Sequence, residues 1–365
     1  MSGQSAAERR FPLAPRVAAQ ATLYAAMMAA LACAASPAAA QQIQGRVLSA
    51  SDSAPASAAL VQLLDGGGTR LAQSTTAPGG TFLLRAPAPG RYVVAVYRIG
   101  QHPWRSGAFD LDSGVVRRVT LAVPDEPITL DSVSVEARSA CRRSPAEGGL
   151  IAALLGEADR ALTVTRLEME RGDEAYDVER YQRTQTVHFR TVDSTGPVAG
   201  FTAWPIRSAP PESLAVHGFV REDSGAYHGP YEGGVYFGLD AELLLSGWFL
   251  STHCFGVAEG SGADSGTIVV TFRPEGGARA DVAGRLVLAR EPLELRRIEW
   301  RYVRLPLWVN RSGAGGSMTL MRLPSGAFLP SSWWMRGPVA ELSRRGESRR
   351  LWGWREIGGR VVPTP

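Results

Sequence analysis

The chain has 365 residues with 39 basic and 35 acidic side chains, and every basic one is arginine. The absence of lysine excludes a phosphate-loop lysine, a Schiff-base lysine and a lysine general base. Gly (40) and Pro (24) are abundant and 45% of residues are hydrophobic, a profile that suits a packed strand-and-turn protein and excludes wholesale disorder.

At the N-terminus Arg9, Arg10 and Arg16 precede an apolar run from Val17 to Ala35. Ala38-x-Ala40 then gives a signal-peptidase pattern. Residues 1–40 are therefore expected to be a signal peptide, cleaved between Ala40 and Gln41. Two alternatives stay open: an uncleaved anchor, and a lipoprotein attached through Cys33 in Ala30-Leu31-Ala32-Cys33. Cleavage leaves Cys141 and Cys254, which in an oxidising compartment are expected to form one disulfide. The mature chain would carry 36 arginines against 34 acidic residues. Such a balance gives no case for a nucleic acid partner. No later stretch approaches the ~20 apolar residues of a membrane helix, so none is expected after signal removal. The expected location is the periplasm or the outer-membrane surface.

Residues 41–124 read as a β-sandwich. Runs at Ile43–Leu48, Ala59–Leu64, Arg70–Thr75, Thr81–Arg85, Tyr92–Ile99 and Val115–Val123 are separated by turn residues such as Pro78-Gly79-Gly80 and Pro89-Gly90. Gly45-Arg46-Val47, Ala59-Leu60-Val61-Gln62-Leu63, Thr76-x-x-Gly79-Gly80-Thr81-Phe82-x-Leu84 and Pro89-Gly90-Arg91-Tyr92 resemble the carboxypeptidase regulatory-like domain. That resemblance implies a transthyretin-like sandwich, grouped with carbohydrate-binding-like folds, and a scaffold without peptidase activity. The sequence departs from the family pattern before the second strand, where Ser57-Ala58 replaces the usual Pro.

Residues 125–145 read as a linker. Ile128 to Ala137 alternates as a last strand would, and it is similar to the segment joining such domains to the plug of TonB-dependent receptors. Ser144-Pro145-Ala146-Glu147 is a helix start, with Ser as cap and Pro at the first position. Leu150, Ile151, Leu154, Leu155, Ala158 and Leu162 then recur at helical spacing. From about 178 to the end, strands return. Ile298, Trp300 and Tyr302 alternate with Glu299, Arg301 and Val303, which predicts a sheet with one buried and one solvated side. Residues 146–365 are thus expected to be an α+β domain, one amphipathic helix on a curved antiparallel sheet. The run from Gly284 to Trp300 resembles the half-barrel of periplasmic lipoprotein carriers. Asp240 to Ser246, Phe249-Leu250 and His253-Cys254-Phe255 resemble uncharacterised exported bacterial proteins that couple a regulatory-like domain to a second domain.

Chemistry is sparse. His253-Cys254 is the one Cys/His adjacency, and it reads as a structural His beside a disulfided Cys. Asp110-x-Asp112-x-Gly114 lacks the remaining ligands of a calcium loop and reads as a turn. Glu168, Glu170, Asp173 and Glu174 read as a solvated face. No catalytic residue, cofactor or metal is expected. Eight of the nine tryptophans lie after residue 200. Trp333, Trp334, Trp352 and Trp354 form the candidate ligand surface, and Trp333 and Trp334 should point to opposite faces of a strand. The expected function is non-catalytic binding or assembly at the cell envelope. Its ligand would be apolar or lipid-like if a cavity lies between helix and sheet. The alternatives are a carbohydrate-binding protein and, with least support, an envelope hydrolase.

Overall fold

The computed structural model describes residues 41–128, 145–171, 176–188, 190–199, 206, 208–223, 231–244, 246–307, 309, 313–323, 326, 328–342 and 349–363. Ala40, Cys33, Cys141, Asp173 and Glu174 lie outside them, as does the alternating segment after Ile128.

The first unit is a two-sheet sandwich. One sheet has the order β4-β1-β8, with β1 at Gln41–Ser49, β4 at Thr81–Ala86 and β8 at Val116–Val123. The other has the order β3-β2-β5-β6, with β2 at Leu60–Leu64, β3 at Arg70–Thr75, β5 at Gly90–Tyr97 and β6 at Trp104–Arg105. β7 (Phe109–Leu111) also pairs with β5. Period-two alternation places Ile43 and Val47 inside and Gln42, Gln44 and Arg46 outside. The inward residues of both sheets form one cluster containing Ile43, Val61, Leu63, Phe82, Leu84 and Val96.

The motif residues act mechanically. Thr76 is buried, its hydroxyl donating to the Ala56 carbonyl at 2.6 Å and accepting from the Ala59 N–H at 2.9 Å. Gly80 has φ +76°, and a Cβ there would meet the Val47 carbonyl at 2.5 Å, so the turn requires glycine. Phe82 then fills the core, and the Tyr92 hydroxyl closes the next turn on the Ala88 carbonyl at 2.5 Å.

Helix α1 runs from Pro145 to Arg171, so proline occupies the first helical position as the sequence suggests. Beyond it lies an antiparallel sheet whose main path is β10-β9-β19-β18-β17-β16-β15-β14-β13. These strands are β9 Tyr176–Thr186, β10 Thr191–Ala199, β13 His253–Glu259, β14 Thr267–Pro274, β15 Asp281–Ala289, β16 Glu294–Val303, β17 Gly315–Arg322, β18 Phe328–Leu342 and β19 Arg349–Pro363. β12 (Tyr231–Tyr236) adds to β18, and β11 (Val220–Asp223) to β12. The path is open: β10 and β13 end it without pairing to each other among the described residues. The chain is therefore mainly β, with a sandwich followed by a helix on an open antiparallel sheet.

Ile298, Trp300 and Tyr302 are buried on the helix side, as their alternation indicates. Leu154, Leu162 and Val164 of α1 are fully buried in the same cluster and occupy that face. Ala58, Leu60 and Ile99 of the sandwich also join it. The sandwich and the helix–sheet unit thus share a hydrophobic contact. Polar contacts add to it. Glu157 of α1 is fully buried, accepting the Gly100 N–H at 2.7 Å and two Arg160 N–H groups at 3.0 and 2.6 Å. Arg171, at the other end of the helix, donates to the Thr75 carbonyl at 2.7 Å.

Candidate functional site

The solvated face of the large sheet gathers the strongest cluster of polar and aromatic groups. Two successive rungs cross β9, β19 and β18, Tyr181–Gly358–Trp334 and Arg183–Glu356–Arg336, and the next, Gln185–Trp354–Pro338, is buried. Glu356 lies between Arg183 and Arg336 and is 1% exposed. Its Oε1 accepts from the Tyr181 hydroxyl at 2.8 Å and from Arg183 Nη2 at 2.5 Å. Its Oε2 accepts from Arg336 Nε at 2.7 Å and also from Arg336 Nη2. Both oxygens are thus engaged by cationic or hydroxyl donors, so the carboxylate serves as a fixed acceptor. Burial, and then the hydrogen bond to Glu356, push the Tyr181 hydroxyl up to about 12. It stays protonated and keeps donating.

The neighbouring rung sets the shape. The Arg336 guanidinium lies 5.0 Å from the Trp334 ring centre, and that of Arg183 lies 5.3 Å from the Tyr181 ring centre. Gly358 sits between the two rings. A Cβ at that position would meet the Tyr181 Oη at 2.5 Å and the Trp333 carbonyl at 2.7 Å. Glycine therefore lets the Tyr181 phenol lie over β19. Tyr181 and Trp334 are both half-buried. The Arg183 side chain is 38% exposed and that of Arg336 18%, so solvent reaches the cationic rim and not the carboxylate.

The four tryptophans expected as a ligand surface separate. Trp333 and Trp334 do point to opposite faces. Trp333 is 7% exposed in the helix-side core, while Trp334 is half-buried on the other face. Trp354 is 2% exposed and packs where a Gly313 side chain would otherwise sit. Trp352 is half-buried. Only Trp334 joins the polar cluster with its ring partly accessible. Tyr181, Arg183, Arg336 and Glu356 were not singled out in the sequence. The signal that could have found them is the aromatic, cation and carboxylate at matched positions of alternating strands.

The remaining candidates have structural partners. His253 stacks on Phe249 with ring centres 3.8 Å apart, and its Nε2 lies 3.2 Å from Asp281. Cys254 is buried beside it in β13, and its expected partner Cys141 lies outside the described residues. Asp110 and Asp112 are exposed, and Gly114 has φ +72°, as in a surface turn. Glu168 pairs with Arg171 at 3.2 Å and Glu170 with Arg166 at 2.9 Å. Among the described residues no group of three His, Cys, Asp or Glu side chains is placed to hold a metal, and no helix is long and apolar enough to cross a membrane.

Comparison with known proteins reaches one part of the chain. No curated protein matches it. Among solved structures, a proposed carbohydrate binding protein from Bacteroides uniformis is 9% identical, with 88% of this chain and 96% of its own covered, at a TM-score of 0.20. A DUF3823 family protein from Bacteroides uniformis is 9% identical over 72% of this chain and 96% of its own, with a TM-score of 0.18. A 9R-lipoxygenase from Cyanothece is 8% identical over 86% of this chain and 42% of its own, with a TM-score of 0.19. Such scores transfer neither fold nor function. The family model that matches is the carboxypeptidase regulatory-like domain, over residues 42–124, the span in which Thr76, Gly80, Phe82 and Tyr92 close the sandwich turns. Residues 42–124 of this chain are a carboxypeptidase regulatory-like domain.

Proposed function

We propose that this chain is a non-catalytic binding protein of the cell envelope that holds a carbohydrate on the solvated face of its large sheet. The observation that supports this reading is the Tyr181–Gly358–Trp334 rung beside the Arg183–Glu356–Arg336 rung. Sugar recognition asks for partly accessible aromatic rings next to polar groups held in fixed directions. Glu356 fixes both guanidinium groups, and Gly358 lets the Tyr181 ring lie across the strand beside them. Retention of the purified chain on a panel of immobilised polysaccharides tests the reading. At least one should retain it, and Trp334→Ala should abolish retention while leaving the melting temperature nearly unchanged. Absence of retention on every polysaccharide would overturn the proposal.

The lipid-carrier reading requires the helix to leave the sheet, because Leu154, Leu162 and Val164 fill the face an apolar ligand would use. Extraction of the native protein should then yield no stoichiometric lipid. Export belongs to the same proposal, with cleavage between Ala40 and Gln41 and a Cys141–Cys254 disulfide. Intact mass spectrometry without reduction should give a chain starting at Gln41 with no titratable thiol. A lipidated Cys33, or two free thiols, would replace that part.

A further inference from the structure

A second surface lies on the regulatory-like domain, far in sequence from the sheet face described above. The outward side of β4-β1-β8 carries Arg46, Arg85 and Arg118, one on each strand and all exposed. β1, β4 and β8 contain no acidic residue. On the large sheet many arginines are neutralised: Arg285 and Arg297 reach Asp264 and Glu299, Arg322 reaches Glu294, and Arg360 reaches Glu179. Among the described residues none of Arg46, Arg85 and Arg118 forms an ion pair. Arg46 donates only to the Gly79 carbonyl, at 2.8 Å.

Hydrogen-bonding groups lie between these charges, together with two exposed apolar side chains, Leu83 opposite Gln44 and Val116 opposite Gln42. The register places Gln42 opposite Arg85, Gln44 opposite Arg118, and Arg46 between Thr81 and Thr120. At its β4 edge the face runs into an open cleft of about 450 Å³. Its lining mixes polar Gln44, Ser74, Thr81 and Arg171, the last from the end of α1, with apolar Phe82 and Leu83. Extended cationic face, interspersed amide and hydroxyl groups, and an adjoining cleft of mixed polar and apolar lining share one complementary shape: a flexible chain with repeated anionic groups, hydroxyls and the apolar faces of sugar rings.

We propose that the outward face of β4-β1-β8 is a binding surface for an acidic polysaccharide, with guanidinium groups meeting its carboxylates and the cleft receiving a saccharide unit. A flat anionic membrane is the less fitting partner, because it could meet the arginines but could not enter the cleft. The proposal stands apart from the Trp334 site, which uses other residues on another sheet.

The test uses the full mature chain and polygalacturonate in solution, with neutral dextran and phosphatidylglycerol vesicles as comparison probes. Wild-type protein should bind polygalacturonate with an affinity that falls as salt rises, because exposed charge contacts are screened. The variant Arg46→Gln/Arg85→Gln/Arg118→Gln should bind about tenfold more weakly with a shallower salt dependence. A control of equal net charge, Arg91→Gln/Arg105→Gln/Arg190→Gln, alters exposed arginines off this face and should keep wild-type affinity. Trp334→Ala should also keep it, which separates this surface from the proposed sugar site. The proposal is overturned if wild type does not bind polygalacturonate, or if both triple variants weaken equally. Binding to the vesicles in place of the polysaccharide would also overturn it.

Discussion

The two sheets use arginine in opposite ways. On the large sheet, many arginines are tied to carboxylates: Glu356 is buried between Arg183 and Arg336 of the two adjoining strands, and Glu294 meets Arg296 of its own strand and Arg322 of the next. On the outward face of β4-β1-β8, Arg46, Arg85 and Arg118 have no carboxylate on any strand of their sheet. A residue type that replaces lysine throughout therefore performs two different jobs. Planar guanidinium can hold a buried carboxylate through several donors at once, and the same group left exposed is a fixed, always charged contact point. Neutralised arginine knits the large sheet together, whereas on the small one three arginines stay exposed without an ion pair among the described residues.

The largest way to break this contrast is at Glu356. Glu356→Leu removes the buried acceptor shared by the Tyr181 hydroxyl and two partly exposed guanidinium groups, and the expected loss is about 3–5 kcal/mol. Equilibrium urea unfolding measures it. Replacing Arg183, Arg336 and Glu356 together with apolar residues should recover most of that loss, because no charge is then left unpaired.

Next comes the shared core. Leu162 is fully buried where α1 meets the large sheet, so Leu162→Ala should destabilise by about 2–5 kcal/mol. Ile43, fully buried inside the sandwich cluster, sharpens the comparison. Ile43→Val should cost about 0.5–1.5 kcal/mol and loosen mainly β1 and its neighbours, as hydrogen exchange of the two units would show.

Two carboxylates near the junction should give opposite pH signatures. Burial pushes Glu157 above the ordinary carboxylate range, only partly offset by Arg160 and the Gly100 N–H. The folded chain therefore binds that proton more tightly than the unfolded one. Its contribution is most favourable below the unfolded value of about 4.3 and declines as pH rises through the folded value. Glu157→Gln should remove this decline from a plot of melting temperature against pH. Asp125 behaves in the reverse sense. The hydroxyls of Ser49 and Ser51, and then Arg98, hold its carboxyl far below the usual range. Its contribution is present above about pH 3.9 and is lost as pH falls towards the folded value. Asp125→Asn should flatten the acid limb.

The smallest stability effect is expected for Arg46→Gln/Arg85→Gln/Arg118→Gln. Exposed positions of this kind usually change stability by no more than about 0.5 kcal/mol. A large drop in melting temperature would mean that the three side chains have structural partners after all.

Much of the fold was legible because it rests on local rules. Ile43 and Val47 alternate with Gln44 and Arg46, and the inward set is the buried set. Thr76, Gly80 and Phe82 fall at the spacing a tight turn and its core strand need, so their motif was recognisable. Leu154 and Leu162 lie on one helical stripe, and that stripe is the packed one. Trp333 and Trp334 were placed on opposite faces by strand geometry alone.

The sequence by itself determined the strand periods, the helix start at Pro145, the regulatory-like domain and the near-neutral balance of arginine and acid. Only the tertiary structure decided which tryptophan remains accessible and which arginines are neutralised. Trp354 is covered by the loop at Gly313, 41 positions earlier in the chain, while Trp334 is left beside a glycine. Arg183 meets a carboxylate 173 positions away, and Arg46 meets none. Alternation says which way a side chain points, but exposure and pairing depend on the partner strand, and register between distant strands is set by the whole sheet.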